Sequence, residues 1–135
     1  MNNVNKNIPC PCGSGLTISE CCGPYLLGNK IVDDTPINVL KTRFTAFVLA
    51  DGEYILKTWH KLYRPKTKAK IISIESKSCK YTKLEIIHDE INEDSGKIEY
   101  IARYRKGVIF GYIHEIANFK KEGNEWFYTD GIILD

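Results

Sequence analysis

Four of the five cysteines fall within thirteen residues, Cys10-Pro11-Cys12-Gly13-Ser14-Gly15 and then Cys21-Cys22, while Cys79 stands alone. A disulfide framework is the wrong reading of this cluster. A bridge between neighbours such as Cys21 and Cys22 is strained, and a reducing compartment keeps such thiols free. Two close pairs brought together by a turn instead supply the four soft ligands that Zn²⁺ takes in a tetrahedron, with each sulfur about 2.3 Å from the metal. The glycines on either side of Ser14 let the backbone fold tightly enough to return the second pair to the first. Cys10, Cys12, Cys21 and Cys22 would fill all four positions, so no place is left for a substrate and the zinc is expected to be structural. Another soft metal or cluster, and unligated redox thiols, are the alternatives.

The other chemistry-bearing residues exclude more than they offer. No P-loop, dinucleotide fingerprint or nucleophile motif occurs. His114 and Glu115 are neighbours in a strand, where side chains alternate between faces, so they cannot form a dyad. His60, next to Trp59, reads as a helix C-terminal residue favoured by the helix dipole, and His88 has no visible company. Between Lys57 and Lys83 nine Lys or Arg accompany one acid, Glu75, in a chain of net charge +2. A polyanion such as nucleic acid would bind there if anywhere, but lysines on an exposed strand also serve to prevent edge pairing, so nucleic-acid binding is not expected.

A chain of 135 residues with 43% hydrophobic and 27% charged residues is a globular domain with room for one small appendage. No stretch approaches the ~18 apolar residues of a membrane span, so membrane insertion is not expected. Met1 to Lys6 contain no apolar block of the kind a secretory leader needs, which makes the cytoplasm the expected location.

Cys-Pro-Cys-Gly-Ser-Gly followed by Cys-Cys resembles the SEC-C motif, a zinc-binding element also found at the C-terminus of the SecA translocation ATPase. Later blocks follow in order: Gly23-Pro24-Tyr25, Arg43-Phe44-Thr45-Ala46-Phe47, Thr58-Trp59-His60, Ala102-Arg103-Tyr104-Arg105, His114-Glu115 and Trp126-Phe127-Tyr128-Thr129-Asp130-Gly131. Together they resemble the YchJ family of small bacterial proteins. The resemblance implies a SEC-C motif over residues 1–28 and, over 29–135, an α+β domain of the nuclear-transport-factor-2-like (NTF2-like) or cystatin-like fold. Such a fold has a hydrophobic cleft between helix and sheet. Leu16 stands where the motif usually has Lys, which argues against a basic role for the knuckle.

Hydropathy periodicity gives the elements that must position these residues. Thr35 is a good N-cap and Pro36 a good first helical residue, after which Ile37, Leu40, Phe44, Phe47 and Val48 recur on one face of a helix over about 36–50. Asp51-Gly52 breaks it, and a second short helix is expected to reach about residue 60. Strands are expected at about 69–76, 80–91, 97–105, 108–120 and 125–133, with turns at 77–78, 92–96, 106–107 and 122–123. Helices followed by a meander make an α+β layout, with the helices laid on one face of a curved antiparallel sheet.

If Lys106-Gly107 and Glu122-Gly123 are the two loop residues of their hairpins, Arg105 lies opposite Val108 and Lys121 opposite Asn124. Tyr100, Tyr104, Glu115, Trp126, Tyr128, Asp130 and Ile132 then share the face under the helices, and Glu115 faces Asp130. Two opposed carboxylates repel, and one is driven toward its protonated form, unless a cation such as Arg43, or a ligand, lies between them. A carboxyl group in that state is also what general acid-base catalysis uses. The alternative is a bulge that separates the two. The opposite face, with Glu99 against His114 and with Ile101, Phe110, Tyr112 and Phe127, is apolar enough to pack against the zinc segment or a second subunit.

The candidate pocket is therefore Arg43, Trp59, Tyr100, Tyr104, Glu115, Trp126, Tyr128 and Asp130, with no catalytic residue assigned. The leading functional expectation is a non-catalytic adaptor whose zinc knuckle engages a protein partner. A small-molecule binder or enzyme using the cleft is the second, and weak nucleic-acid binding through residues 57–83 the third.

Overall fold

In the computed structural model, which describes residues 7–135, the C-terminal half is a four-stranded antiparallel meander. Its strands are β1 (Lys80–Asn92), β2 (Ser95–Lys106), β3 (Ile109–Glu122) and β4 (Glu125–Leu134), hydrogen-bonded in that order. Met1 to Lys6, read above for a leader, lie outside the described residues. The sheet is preceded by the cysteine knuckle, α1 (Gly23–Leu26), α2 (Pro36–Val48), α3 (Gly52–Lys57) and α4 (Ala69–Lys77). This is the expected α+β architecture, helices first and a curved sheet after.

The helix α2 is the axis of the molecule. Leu40 joins Val39, Ile98, Ala117, Phe119 and Trp126 in the core between helix and sheet. Ala46 packs with Tyr54, Ile55 and Ile72 of α3 and α4. Thr45 is fully buried against the cysteine cluster. Burial on three sides explains why Thr42, Arg43 and Thr45, polar residues that a one-faced helix would expose, are inside.

One expected strand is a helix. Residues 69–76 are rich in isoleucine, a β-branched residue that favours strands, yet Ala69–Lys77 is helical. Only Ile72 and Ser76, four apart, are buried, while Ile71 and Ile74 face outward. Docking against α3 decides the matter: the Gly52 amide donates to Ser73 Oγ at 2.9 Å, and a Cβ on Gly52 would lie 2.0 Å from the Ala69 carbonyl oxygen. The helix α3 ends at Lys57 and not near residue 60, so His60 is not a helical residue. Residues 58–60 run parallel to β4 instead, with His60 N–H donating to Tyr128 O at 2.7 Å and Tyr128 N–H to Thr58 O at 2.9 Å.

Both sharp hairpins differ from expectation in the same way. The closing pairs are Lys106 with Ile109 and Glu122 with Glu125, so the loops are Gly107-Val108 and Gly123-Asn124. Glycine comes first, with φ of 61° at Gly107 and at Gly123, and the residue after it has no positive φ, the pattern of a type II′ turn. The register moves by two residues, a shift that by itself keeps side chains on their expected faces but changes their partners. Glu115 thus meets Tyr100 on β2.

A bulge makes the larger difference. Phe119 pairs with Tyr128 but Ala117 with Gly131, so Thr129 and Asp130 together oppose Asn118. Beyond the extra residue the faces of β4 exchange. Asp130 is exposed, bonded to Asn118 Nδ2 at 3.1 Å and to Thr129 Oγ1 at 3.0 Å, and Glu115 lies opposite Ile133. The expected Glu115–Asp130 pair does not form.

Candidate functional site: a cysteine cluster and a cleft beneath helix α2

The knuckle is a short antiparallel turn followed by a helical turn. Cys10 N–H donates to Leu16 O at 2.8 Å and Ile18 N–H to Ile8 O at 3.1 Å, and both Gly13 and Gly15 take left-handed φ, 85° and 86°. A single 3₁₀ turn, Ile18–Glu20, then delivers Cys21 and Cys22. The four Sγ atoms lie within 4.8 Å of one another, and none is in a disulfide. A tetrahedron of sulfurs about 2.3 Å from a centre has edges near ~3.8 Å, so the cluster has the size of a four-thiolate metal site.

The donor chemistry fits as well. Ser14 Oγ donates to Cys21 Sγ at 3.1 Å and Thr45 Oγ1 to Cys22 Sγ at 3.3 Å, with Cys10 Sγ 3.7 Å from the same Thr45 hydroxyl. Hydroxyls aimed at sulfur stabilise thiolates, the ligand form. Contacts with Cys12 and then Cys22 hold the Cys10 thiol far below its ordinary pKa, and their contacts with Cys10 push Cys12 and Cys22 up. Packed this closely, the thiols cannot all ionise without a cation among them. The four cysteines could therefore hold one metal ion, and the residues present suit zinc.

Thr45 is a participant that the sequence did not reveal, because it reaches the cysteines from a helix more than twenty residues away. The knuckle sits on α2 and not on the outer sheet face, where it was also expected. Cys22 Sγ lies 3.8 Å from the Lys41 carbonyl oxygen, and Tyr25 packs against both core clusters to which α2 contributes.

Between α2 and the sheet lies a cavity of about 220 Å³. Its walls are apolar, Leu40, Phe44, Phe47, Leu84, Ala102 and Ile113 among them, and its polar end is built by Arg43, Glu115, Tyr100, Tyr128 and Trp59. Five of the eight expected pocket residues thus come together. The other three do not. Tyr104 lies flat over Gly111, where a Cβ would sit 2.6 Å from its ring; Trp126 is core, its Nε1 donating to Asp34 O at 3.2 Å; and Asp130 is outside.

Glu115 is buried and accepts from both phenols, Tyr100 on Oε1 and Tyr128 on Oε2, the latter at 2.7 Å. Gly131 makes room for it, since a Cβ there would come within 2.0 Å of Oε2. Arg43 Nη1 donates to Ile55 O at 2.6 Å and to Thr58 Oγ1 at 2.9 Å. The guanidinium carbon lies 5.1 Å from the Trp59 ring centre and 4.7 Å from that of Tyr128. Its Nε and Nη2 donors have no hydrogen-bond acceptor among the described residues. Burial lowers the Arg43 pKa to about 10, opposed by Tyr128 and Tyr100, so the group stays charged at neutral pH. Burial, and after it Glu115, pushes the Tyr100 and Tyr128 phenols far up, so both keep the protons they donate.

His60 is buried at the edge of β4. Its Nδ1 accepts from Leu62 N–H at 3.2 Å, which places the neutral ring's proton on Nε2, 3.1 Å from Glu122 Oε1 but outside hydrogen-bond geometry. His114 Nε2 and Glu99 Oε2 meet at 2.7 Å on the outer face, diagonally and not as a cross-strand pair. Neither histidine joins the cavity.

No helix among the described residues is long and apolar enough to cross a membrane. A SEC-C motif containing protein from Rhodopseudomonas palustris, solved in solution, is 28% identical over 95% of this chain and all of its own, with a TM-score of 0.84. A SEC-C motif containing protein from Psychrobacter arcticus, solved by crystallography, is 25% identical over 96% of this chain and 85% of its own, with a TM-score of 0.80. The model of the SEC-C motif matches residues 7–24. That of the YchJ middle NTF2-like domain matches residues 35–131, so the chain belongs to the YchJ middle-domain-like family, with an N-terminal SEC-C motif.

Proposed function

We propose that this protein is a non-catalytic binder of a small molecule, held in the cavity beneath α2, and that a structural Zn²⁺ on Cys10, Cys12, Cys21 and Cys22 fastens the knuckle to the helix that forms the cavity roof. The observation that carries the reading is the cavity's polar end. A buried guanidinium with donors to spare stands with a carboxylate whose two oxygens each retain an acceptor site. Burying two such charges is costly, and a ligand able to donate to Glu115 and accept from Arg43 would complete them. Arg43 and Glu115 balance in charge, which favours a neutral ligand.

A cavity of about 150 Å³ accommodates benzene, so 220 Å³ suits one aromatic or branched aliphatic group with a single polar head, such as an amide. Thermal melts with benzamide, indole and cyclohexanol test this. Benzamide, which both donates and accepts, is expected to raise the melting temperature most. No shift with any of the three at millimolar concentration would contradict the reading. The adaptor reading is favoured by one observation, the half-exposed Leu16 at the knuckle tip, and a partner docking there would leave the cavity free.

A further inference from the structure

The tip of the β2–β3 hairpin exposes three large apolar residues in a row: Val108 at 91%, Ile109 at 67% and Phe110 at 78%. Nothing in the fold needs them. A two-residue turn closed by Gly107 is satisfied by polar residues, and this one has neither Asn nor Asp nor Ser. Exposed apolar residues in a contiguous run mark a surface made for contact.

The neighbours of the tip are cations. On the outer face of the sheet Lys80, Arg105 and Phe110 form one cross-strand row, and Lys83, Arg103 and Tyr112 the next. Lys106 closes the hairpin beside Ile109. Of the five cations, Arg103 is engaged by Glu85, while Lys80, Lys83, Arg105 and Lys106 are exposed and have no ion-pair partner among the described residues. An apolar point within a basic collar combines the two signals that reversible attachment to an anionic bilayer uses, burial of apolar side chains at the headgroup boundary and attraction of Lys and Arg to the lipid charge.

We propose that this hairpin docks the protein peripherally on an anionic lipid bilayer, with Val108, Ile109 and Phe110 entering the headgroup region and Lys80, Lys83, Arg105 and Lys106 resting against lipid phosphates. The expectation of no membrane insertion rested on the absence of a spanning stretch, which a tip of three residues does not need. A nucleic acid would use the cations and Phe110 but leave Val108 and Ile109 in water. A second copy is disfavoured by area, because one hairpin tip falls well short of the roughly 1,200 Å² or more that a stable interface buries.

The test is co-flotation of the full chain with vesicles of mixed phosphatidylglycerol and phosphatidylcholine, and with phosphatidylcholine alone. Binding is expected to the mixed vesicles only, to weaken with added salt, and to fall about tenfold or more in Val108→Asp/Phe110→Asp and again in Arg105→Glu/Lys106→Glu. The substituted side chains are exposed, so folding should persist, and circular dichroism verifies it. A Phe110→Trp variant gives a second reading, a blue shift of the new tryptophan's fluorescence with the mixed vesicles. Failure of the wild type to float would overturn the proposal. So would binding indifferent to the apolar substitutions, release of the vesicles by single-stranded oligonucleotide, or a dimer without lipid that the tip substitutions dissociate.

Discussion

Glu115 sets the character of the cleft, because two phenols donate to it and both must stay protonated to do so. Tyr54, Tyr100 and Tyr128 have pKa values pushed above the ordinary 10 by burial, and Tyr81 is pushed up to about 12 by the same cause. A group whose pKa is higher in the folded than in the unfolded state binds more protons when folded, so its contribution to stability is complete below about pH 10 and declines above it. Each such tyrosine steepens the decline by at most about 1.4 kcal/mol per pH unit, and the partly exposed Tyr81 and Tyr128 by less. Arg43, lowered to about 10, has the opposite sign and offsets one of them in that window. The tyrosines' share of the stability should therefore be flat from neutral pH to about pH 10 and fall steeply beyond. Buried tyrosines should show tyrosinate absorbance only as the protein unfolds, and gradual ionisation of all eight tyrosines in the folded protein would contradict the burial described. Much at this scale was legible. The four cysteines were readable because they are close in sequence, and Glu115 because strand alternation puts it inward. Thr45 was not, since its role depends on how the knuckle docks, and Asp130 was misplaced by one extra residue in β4.

Among the elements, α4 is where local propensity and tertiary packing disagree. Three isoleucines favour a strand, but the backbone contact at Gly52 requires a helix end at Ala69. Gly52→Ala should therefore destabilise the domain by about 1–3 kcal/mol, the usual cost of overpacking, because the atom met is a carbonyl oxygen that cannot swing aside. Urea unfolding measures it; a change under about 0.5 kcal/mol would mean that α3 and α4 do not meet there. The strands were legible to within a few residues, since their alternation is strong. Their pairing was not, because a glycine in a two-residue turn can stand first or second, and the two choices differ by two residues of register. Bulges leave no sequence mark of comparable strength, so the exchange of faces past Phe119 became visible only in the structure.

Across the whole molecule, knuckle and domain share α2. The Thr45 hydroxyl reaches Cys22 and Cys10, and Tyr25 packs against both core clusters that α2 joins, so events at the cysteines extend into the roof of the cavity. One equivalent of zinc should be found by elemental analysis. Removing it with a chelator should lower the melting temperature and speed amide exchange at Lys41 and Thr45, while the strands of the sheet stay protected, since metal-binding energy is folding energy for so small a segment. Thr45→Val, which keeps the shape and removes the hydroxyl, should weaken zinc binding by about tenfold or more. Unchanged affinity would reduce the Thr45 contact to simple packing.

The cavity is the centre of the functional reading, and filling it is the most direct test. Ala102 is buried in its wall, and Ala102→Leu would place three more carbons in the space while leaving Arg43 and Glu115 intact. Calorimetric titration of the wild type and of Ala102→Leu with benzamide, both proteins shown by circular dichroism to be folded, compares the two. Saturable binding to the wild type that is lost in Ala102→Leu is the predicted result; equal heats in the two proteins, or none in the wild type, would contradict ligand binding beneath α2.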